Sequence, residues 1–296
     1  MSNIQDEIAA PATTSPSPET WVPAGHYYSP IVDPDDANVA RILDNFDNLS
    51  LAPNAGIVLN EEEMLATLKR ISSYYSEMPF QDDKSPGLRY YFRNGLFEQG
   101  DGTVYFGMLR DVKPKRVIEV GVGYSSCLLM DTNEKFFNGQ IETTFIDPYP
   151  DTLQSLTADG SFRGQLIQSK LQDVPLSLFE KLATGDILFI DSTHVSKMGS
   201  DVNHYMFRIL PSLPPGVLIH IHDIFYPFEY SSEWIRKENR SWNEAYLLRA
   251  FLQFNSAFSV MYFNHYVYRA HKDVLSKAMP KCLENPGGSI WIRRIR

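Results

Sequence analysis

From Lys115 onward, short apolar runs alternate with longer stretches whose apolar residues recur at helical spacing. The runs RVIEVG, TTFID, GQLIQS, DILFID, GVLIHIHD, FSVMYFN and SIWIRR read as seven strands. Between them, YSSCLLMDTNEKF, PLSLFEKLA, DVNHYMFRILPSL and SWNEAYLLRAFLQF read as helices, and the last two strands are expected to follow the final helix. Strands that are apolar at nearly every position are covered on both faces. The expected fold is therefore α/β: a Rossmann-like, seven-stranded, mostly parallel sheet with helices on both faces.

Upstream the pattern is helical. ANVARILDNFDNL places Val39, Ile42, Leu43 and Phe46 on one face, with Asp35 or Asp36 able to cap it. EEEMLATLKRISSYYSEM places Met64, Leu65, Leu68 and Ile71 together and carries acids in its first turn. The stretch GHYYSPIVDPDD is too rich in proline for a long helix. Three regions result: a Pro/Ser/Thr/Ala-rich tail over 1–24, expected to be disordered, an N-terminal helical cap region over 25–108, and the main domain over 109–296.

Composition narrows the setting. No apolar run approaches the roughly 18 residues of a membrane span, and the first residues lack the basic and apolar regions of a signal peptide. Two cysteines, Cys127 and Cys282, with no CxxC pair, fit a cytoplasmic protein and provide no zinc or disulfide framework. A net charge of −9 opposes a nucleic-acid backbone as the main partner. The expected partner is a small-molecule acceptor, not nucleic acid or a membrane, and a homo-oligomer stays open.

The first strand runs into a glycine turn, Glu119-Val120-Gly121-Val122-Gly123-Tyr124-Ser125. Gly121 and Gly123 suit a backbone that turns sharply against a ligand, with Tyr124 and Ser125 opening the next helix. Such a turn also serves nicotinamide cofactors. Glu119 tips the reading toward S-adenosylmethionine (SAM): its carboxylate would repel a pyrophosphate, but can act through the loop on the cationic methionine end. Asp147, followed by Pro148, ends the second strand where it can accept from both ribose hydroxyls. Gln172 and Asp173 follow the third strand and border the adenine, or Asp173 caps the helix near Pro175.

Two strand ends are polar. The fourth ends in Asp191-Ser192-Thr193-His194 and the fifth in His220-Ile221-His222-Asp223. If these strands are neighbours, Asp191, His194, His222 and Asp223 converge, while His220 reads as a satisfied core histidine. Such a cluster either holds a divalent cation or forms a metal-free acid–base pocket, with His194 as a general base near neutrality. The insertion FYPFEYSSEWIRKENRSWNEAY provides Tyr226, Trp234, Arg240 and Trp242 as acceptor-binding candidates, with packing as the rival role for Trp242. Tyr27 and Tyr28 are candidates to close the cleft from the N-terminal side.

VIEVGVGYSS, FIDPYP, DILFIDSTHVSKMGSDVNHYMFRILPSLPPGVLIHIHDIF and, more loosely, GHYYSPI carry a family resemblance. Over about residues 88–296 the sequence resembles class I SAM-dependent methyltransferases. The likeness is to the metal-dependent catechol-type and macrolide-sugar O-methyltransferases and the cephalosporin hydroxylase-like proteins. The resemblance implies a last strand antiparallel to its neighbours. It also implies Asp191, His222 and Asp223 as metal ligands, with His194 as base and Asp191 beside the cofactor. His222 departs from the acid or amide usual there. Imidazole favours Mn²⁺, Fe²⁺ or Zn²⁺ over Mg²⁺, so the metal stays open. The expected activity is SAM-dependent O-methylation of a hydroxyl on a small, specialised metabolite. N-methylation, a nicotinamide-dependent oxidoreductase on the same sheet, and a non-catalytic SAM-binding protein are the alternatives.

Overall fold

A computed structural model describes residues 20–52 and 54–296. Most of the expected tail, residues 1–19, lies outside the described residues. All seven expected strands form: β1 Arg116–Val120, β2 Glu142–Ile146, β3 Gln165–Ile167, β4 Ile187–Ile190, β5 Leu218–His222, β6 Phe258–Phe263 and β7 Ser289–Arg294. They make one sheet in the order β3-β2-β1-β4-β5-β7-β6. Strands β1 to β5 pair in parallel, and β7 is antiparallel to both β5 and β6. Every residue of β4 and β5 is buried, as a parallel sheet covered on both faces requires.

The helices are α1 Ala37–Asp44, α2 Glu61–Ser72, α3 Gln99–Val112, α4 Tyr124–Phe137, α5 Asp151–Leu156 and α6 Leu176–Phe179. They continue with α7 Asp201–His204, α8 Leu210–Ser212, α9 Ser232–Arg236, α10 Glu244–Leu252, α11 Asn264–Ala270 and α12 Lys272–Ala278. Asp36 caps α1, its Oδ1 accepting from the amides of Asn38 and Val39 at 2.9 and 3.3 Å. The stretch expected as one helix, DVNHYMFRILPSL, is α7 and α8 joined by a π-helical turn, Tyr205–Ile209.

One expectation fails here. Helices α11 and α12 lie between β6 and β7, so only β7 follows the final helix. The buried residues of α11 are consecutive, Asn264 to Val267, and α12 buries only Leu275, so neither shows a helical stripe. Helix α3 carried no helical signal either, because QGDGTVYFGMLRDV holds three glycines and is buried from Gln99 through Leu109. Burial on all sides erases the amphipathic period. The glycines have a packing reason. A Cβ on Gly100 would stand 2.2 Å from the Pro286 carbonyl oxygen, one on Gly102 would stand 2.1 Å from the Tyr90 hydroxyl, and one on Gly107 would stand 2.7 Å from Ile71 Cβ. Helix α3 runs across residue 108, and one continuous core joins residues on both sides of it, from Ile57 to Ile292.

Gly100→Ala tests this packing. In an exposed helix, alanine would add about 0.8–1.0 kcal/mol of stability. Here the backbone clash is expected to remove about 1–3 kcal/mol, seen as a lower denaturation midpoint at unchanged m. A stabilised variant would show that α3 does not sit against Pro286.

Candidate functional site

The chain moves outward from β1 through β2 to β3, then returns to β4 on the other side of β1. At such a reversal the crevice beyond the strand carboxyl ends is open to a ligand. The β1 and β4 ends are tied together, with the Asp191 amide donating to the Val120 carbonyl at 2.8 Å. Gly121 has φ +79°, and a Cβ there would lie 2.0 Å from the Asp191 carbonyl oxygen, so the turn needs glycine twice over. Gly123 is extended, with no neighbour closer than 3.9 Å to a Cβ.

Glu119 is fully buried beneath this turn. Its Oε1 accepts from the hydroxyls of Ser125 and Ser126, each at 2.7 Å, and its Oε2 has no partner among the described residues. Burial pushes its carboxyl from the ordinary 4.5 up to about 8; the serine hydrogen bonds oppose this, and the charges of Asp191 and Asp147 add to it. Tyr124 shares a hydroxyl hydrogen bond with Tyr91 at 3.1 Å. Asp147 accepts from the amides of Val122 at 3.1 Å and Tyr149 at 2.7 Å, one on each oxygen. Each oxygen keeps a lone pair for a ligand. Burial raises its pKa, against the pull of those two amides. Pro148, beside it, is half-buried. Gln172 donates to the Gly199 carbonyl at 2.6 Å, tying this turn to the loop after β4. Asp173 is exposed and does not cap α6, which starts after Pro175 without a side-chain cap.

The ends of β4 and β5, paired as neighbours, gather the polar cluster. His194 and Asp223 both have left-handed backbones, φ +59° and +56°. That conformation costs a side-chain-bearing residue roughly 1–2 kcal/mol, and it turns both side chains into the crevice. The His194 ring is buried, with Nε2 3.2 Å from Asp191 Oδ1 and 3.6 Å from Asp223 Oδ2. Its Nδ1 lies 2.8 Å from Glu244 Oε2. Burial alone would lower its pKa, but the charges and hydrogen bonds of Glu244, Asp191 and Asp223 outweigh it and hold the ring well above the usual histidine range. Burial likewise raises Asp223, whereas His222 and His194 overcome burial and lower Asp191.

The ligand-capable atoms of Asp191, His194 and Asp223 all lie within 4.8 Å of one another. His222 is not in that group. Its Nε2 sits 3.5 Å from Asp223 Oδ1, and its ring packs on Phe97 at 5.3 Å. The expected set of Asp191, His222 and Asp223 is thus met by His194 in place of His222, because the left-handed turn at His194 carries its ring inward. His220 is a core residue, stacked on Phe189 at 3.9 Å, but not a satisfied one: neither ring nitrogen bonds a described residue. Burial keeps it neutral, its pKa well below the usual range.

The aromatic candidates divide. Trp242 lies on the His194 ring at 4.1 Å and meets Trp234 edge-on at 5.1 Å. The Arg240 guanidinium rests 4.5 Å from each tryptophan, its Nε donating to Glu238 at 2.6 Å. These three form one wall beside His194. Tyr226 does not join them. It is wholly buried, and its hydroxyl donates to the Ala52 carbonyl at 2.6 Å, which anchors the N-terminal segment. Tyr27 and Tyr28 are 80% and 58% exposed and stack on each other, His26 and Trp21. Both were read from residue type alone, which does not distinguish an anchor or a surface stack from a binding wall.

Glu244 is the site residue that sequence reasoning missed. It stands in the first turn of α10, where an acid reads as a complement to the helix dipole. Only the fold shows that it is fully buried against His194.

A family model described as a methyltransferase domain matches residues 118–224, from β1 to just past β5. An uncharacterised protein of Archaeoglobus fulgidus is 38% identical over 167 residues, which span 54% of this chain and 73% of that protein. Among solved structures, an apo structure of CmcI-N160 aligns at 18% identity and a TM-score of 0.42, covering 76% of this chain and 84% of the other. The O-methyltransferase TomG from Streptomyces achromogenes, solved with SAM, aligns at 13% identity and 0.41, covering 86% and 96%.

Glu119 yields a test that needs no substrate. Folded Glu119 keeps its proton up to about pH 8, whereas the unfolded chain releases it near 4.5. The stability it contributes is therefore fully present below about 4.5 and lost as pH rises through about 8. Glu119→Gln has no such titration, so its stability relative to the parent should rise steadily across that window. A difference that stays flat with pH would place Glu119 outside a buried, protonated environment.

Proposed function

The chain belongs to the class I SAM-dependent methyltransferases, and we propose that it methylates a hydroxyl oxygen of a small metabolite, with His194 as general base. The observation that carries this reading is the His194 ring at the β4 exit, its Nε2 turned toward Asp191 and Asp223. In this reading the turn through Gly121, Gly123, Tyr124 and Ser125 holds the methionine end of SAM above Glu119. Asp147 accepts the ribose hydroxyls beside Pro148, with Gln172 and Asp173 toward the adenine. The Trp234, Arg240 and Trp242 wall orients the acceptor. The hydroxyl oxygen attacks the methyl carbon in line as the carbon–sulfur bond breaks. The electron pair leaves on sulfur, giving S-adenosylhomocysteine, and the hydroxyl proton passes to His194 Nε2. Alignment of the two reactants supplies much of the rate.

A protonated His194 cannot accept that proton, so the reading needs positive charge to offset Asp191 and Asp223. The SAM sulfonium is one such charge, and a divalent cation is another. The donor set fits a cation, with two carboxylates and an imidazole nitrogen within 4.8 Å of one another. Asp191 and Asp223 would hold it, with His222 beside Asp223. Bound there, it would supply Lewis-acid chemistry that lowers the pKa of the acceptor hydroxyl.

Two substitutions should separate cofactor from base. His194→Ala is expected to lose ~10²–10⁴-fold in turnover with SAM affinity unchanged. Asp147→Ala should weaken SAM by about 1–3 kcal/mol in calorimetry. Near-parent turnover in a folded His194→Ala protein would remove the base assignment, and unchanged SAM affinity in Asp147→Ala would remove the ribose contact.

Chelation should lower turnover, and Mn²⁺ or Fe²⁺ should restore it better than Mg²⁺, on account of the His222 imidazole beside Asp223. Full turnover in metal-stripped protein would exclude the cation. Metal titration of His194→Ala then assigns the ring: retained metal affinity supports the base, and lost affinity makes Nε2 the third ligand.

A further inference from the structure

We infer that Glu244 is a positioning residue, which fixes the His194 ring with its proton on Nδ1 and the Nε2 lone pair facing the crevice. For catalysis, this rests on His194 acting as the base of the proposed methyl transfer. The carboxylate of Glu244 is fully buried and shared by three donors. Its Oε2 faces His194 Nδ1 at 2.8 Å, and its Oε1 accepts from the Ser192 hydroxyl at 2.6 Å and the Tyr205 hydroxyl at 2.5 Å. A carboxylate whose remaining oxygen is occupied by two hydroxyls presents only acceptor capacity to the ring. The ring nitrogen facing it must then carry the proton, which leaves Nε2 as the nitrogen that faces Asp191 and Asp223. A carboxylate that fixes the tautomer of a working histidine is a recurrent device in catalytic and metal sites.

The rest of the α10 start reinforces the hold. The amides of Asn243 and Glu244 donate to the His194 carbonyl at 3.1 and 3.2 Å. The Asn243 side chain accepts from the Ser196 amide at 2.6 Å, and Trp242 covers the ring at 4.1 Å. Three consecutive residues thus grip the backbone, one ring face and the far nitrogen of a histidine whose left-handed φ would otherwise relax. Tyr205 reaches Glu244 from the π-helical turn, an irregularity that often marks a functional site.

The experiment compares the parent with Glu244→Gln and Glu244→Ala, all full-length, and has two arms, the first on metal-free protein and the second with SAM, acceptor and divalent cation supplied. In the first, protein labelled with ¹⁵N-histidine is raised in pH until the His194 ring carries a single proton, and is then read for a directly bonded proton on Nδ1. The parent should show it, and Glu244→Ala should lose it from the neutral ring. In the second, Glu244→Gln should lower kcat about 10–100-fold, the usual effect of removing such a partner, with SAM affinity and acceptor KM within about twofold of the parent. Melting temperature is recorded for each variant, since a purely structural Glu244 would lower it and leave kcat per folded molecule unchanged. Tyr205→Phe, which removes one neutral donor and keeps the carboxylate, should retain the Nδ1 proton. A parent ring without a proton on Nδ1, or a folded Glu244→Gln enzyme with parent kcat, would overturn the inference. If His194 proves not to be the base, the labelled spectra still decide whether Glu244 sets the tautomer.

Discussion

An imidazole ring held between one buried and two half-buried carboxylates governs the crevice of this protein. Glu244 lies on one side of His194, and Asp191 and Asp223 lie on the other. Charges removed from water are expensive unless they are paired, so each of these groups depends on the others being in place. The pairing also explains the electrostatic pattern. His194 holds its proton more tightly than a free imidazole, Asp191 ionises more readily than a free carboxyl, and Asp223, raised by burial first and by Asp191 and Asp101 after it, resists ionisation. A site balanced in this way responds strongly to added positive charge, and a sulfonium cofactor brings that charge to this fold.

The sheet makes the pairing geometrically possible. The reversal between β1 and β4 places the glycine turn against Asp191, and parallel pairing of β4 with β5 places Asp223 beside His194. Strand alternation alone would send Asp223 away from His222. The left-handed backbones at His194 and Asp223 bring their side chains back, at a conformational cost offset by the hydrogen bonds they then make. Strain and buried charge are concentrated at the same few residues, as expected where a fold trades stability for chemistry.

The region before β1 contributes support more than chemistry. Glycines let α3 press against the Pro286 backbone and Tyr90 closely enough to join one core, and the Tyr226 hydroxyl ties the N-terminal segment to the β5 exit at Ala52. Phe97, just before α3, packs on His222, so this support reaches the edge of the site. The aromatic wall of Trp234, Arg240 and Trp242 has a similar double nature. It covers His194, and its guanidinium stacks on both indoles, which keeps the wall in one geometry.

By itself the sequence determined what depends on local period and residue type. Seven apolar runs became seven strands in the expected places, the glycine turn followed β1, and the acids and histidines ended β4 and β5. Those features are legible because a strand's covering, a turn's φ and a strand end's polarity are written in neighbouring residues. Only the tertiary structure decided what depends on distant partners. Helix α3 was hidden because a helix buried all round has no stripe, and its glycines, unfavourable locally, are required by Tyr90 and by Pro286, the latter far along the chain. Helices α11 and α12 were hidden because α11 buries consecutive residues and α12 only one, so neither carries a helical stripe. Glu244 looked like a dipole complement until the fold laid α10 against His194, and Tyr226 like a binding residue until its hydroxyl met Ala52. His194 took the place expected of His222 in the cluster because one backbone dihedral at the end of β4 turned the ring inward. Local pattern selects which residues are buried; long-range crossover and single dihedrals select which buried polar groups meet.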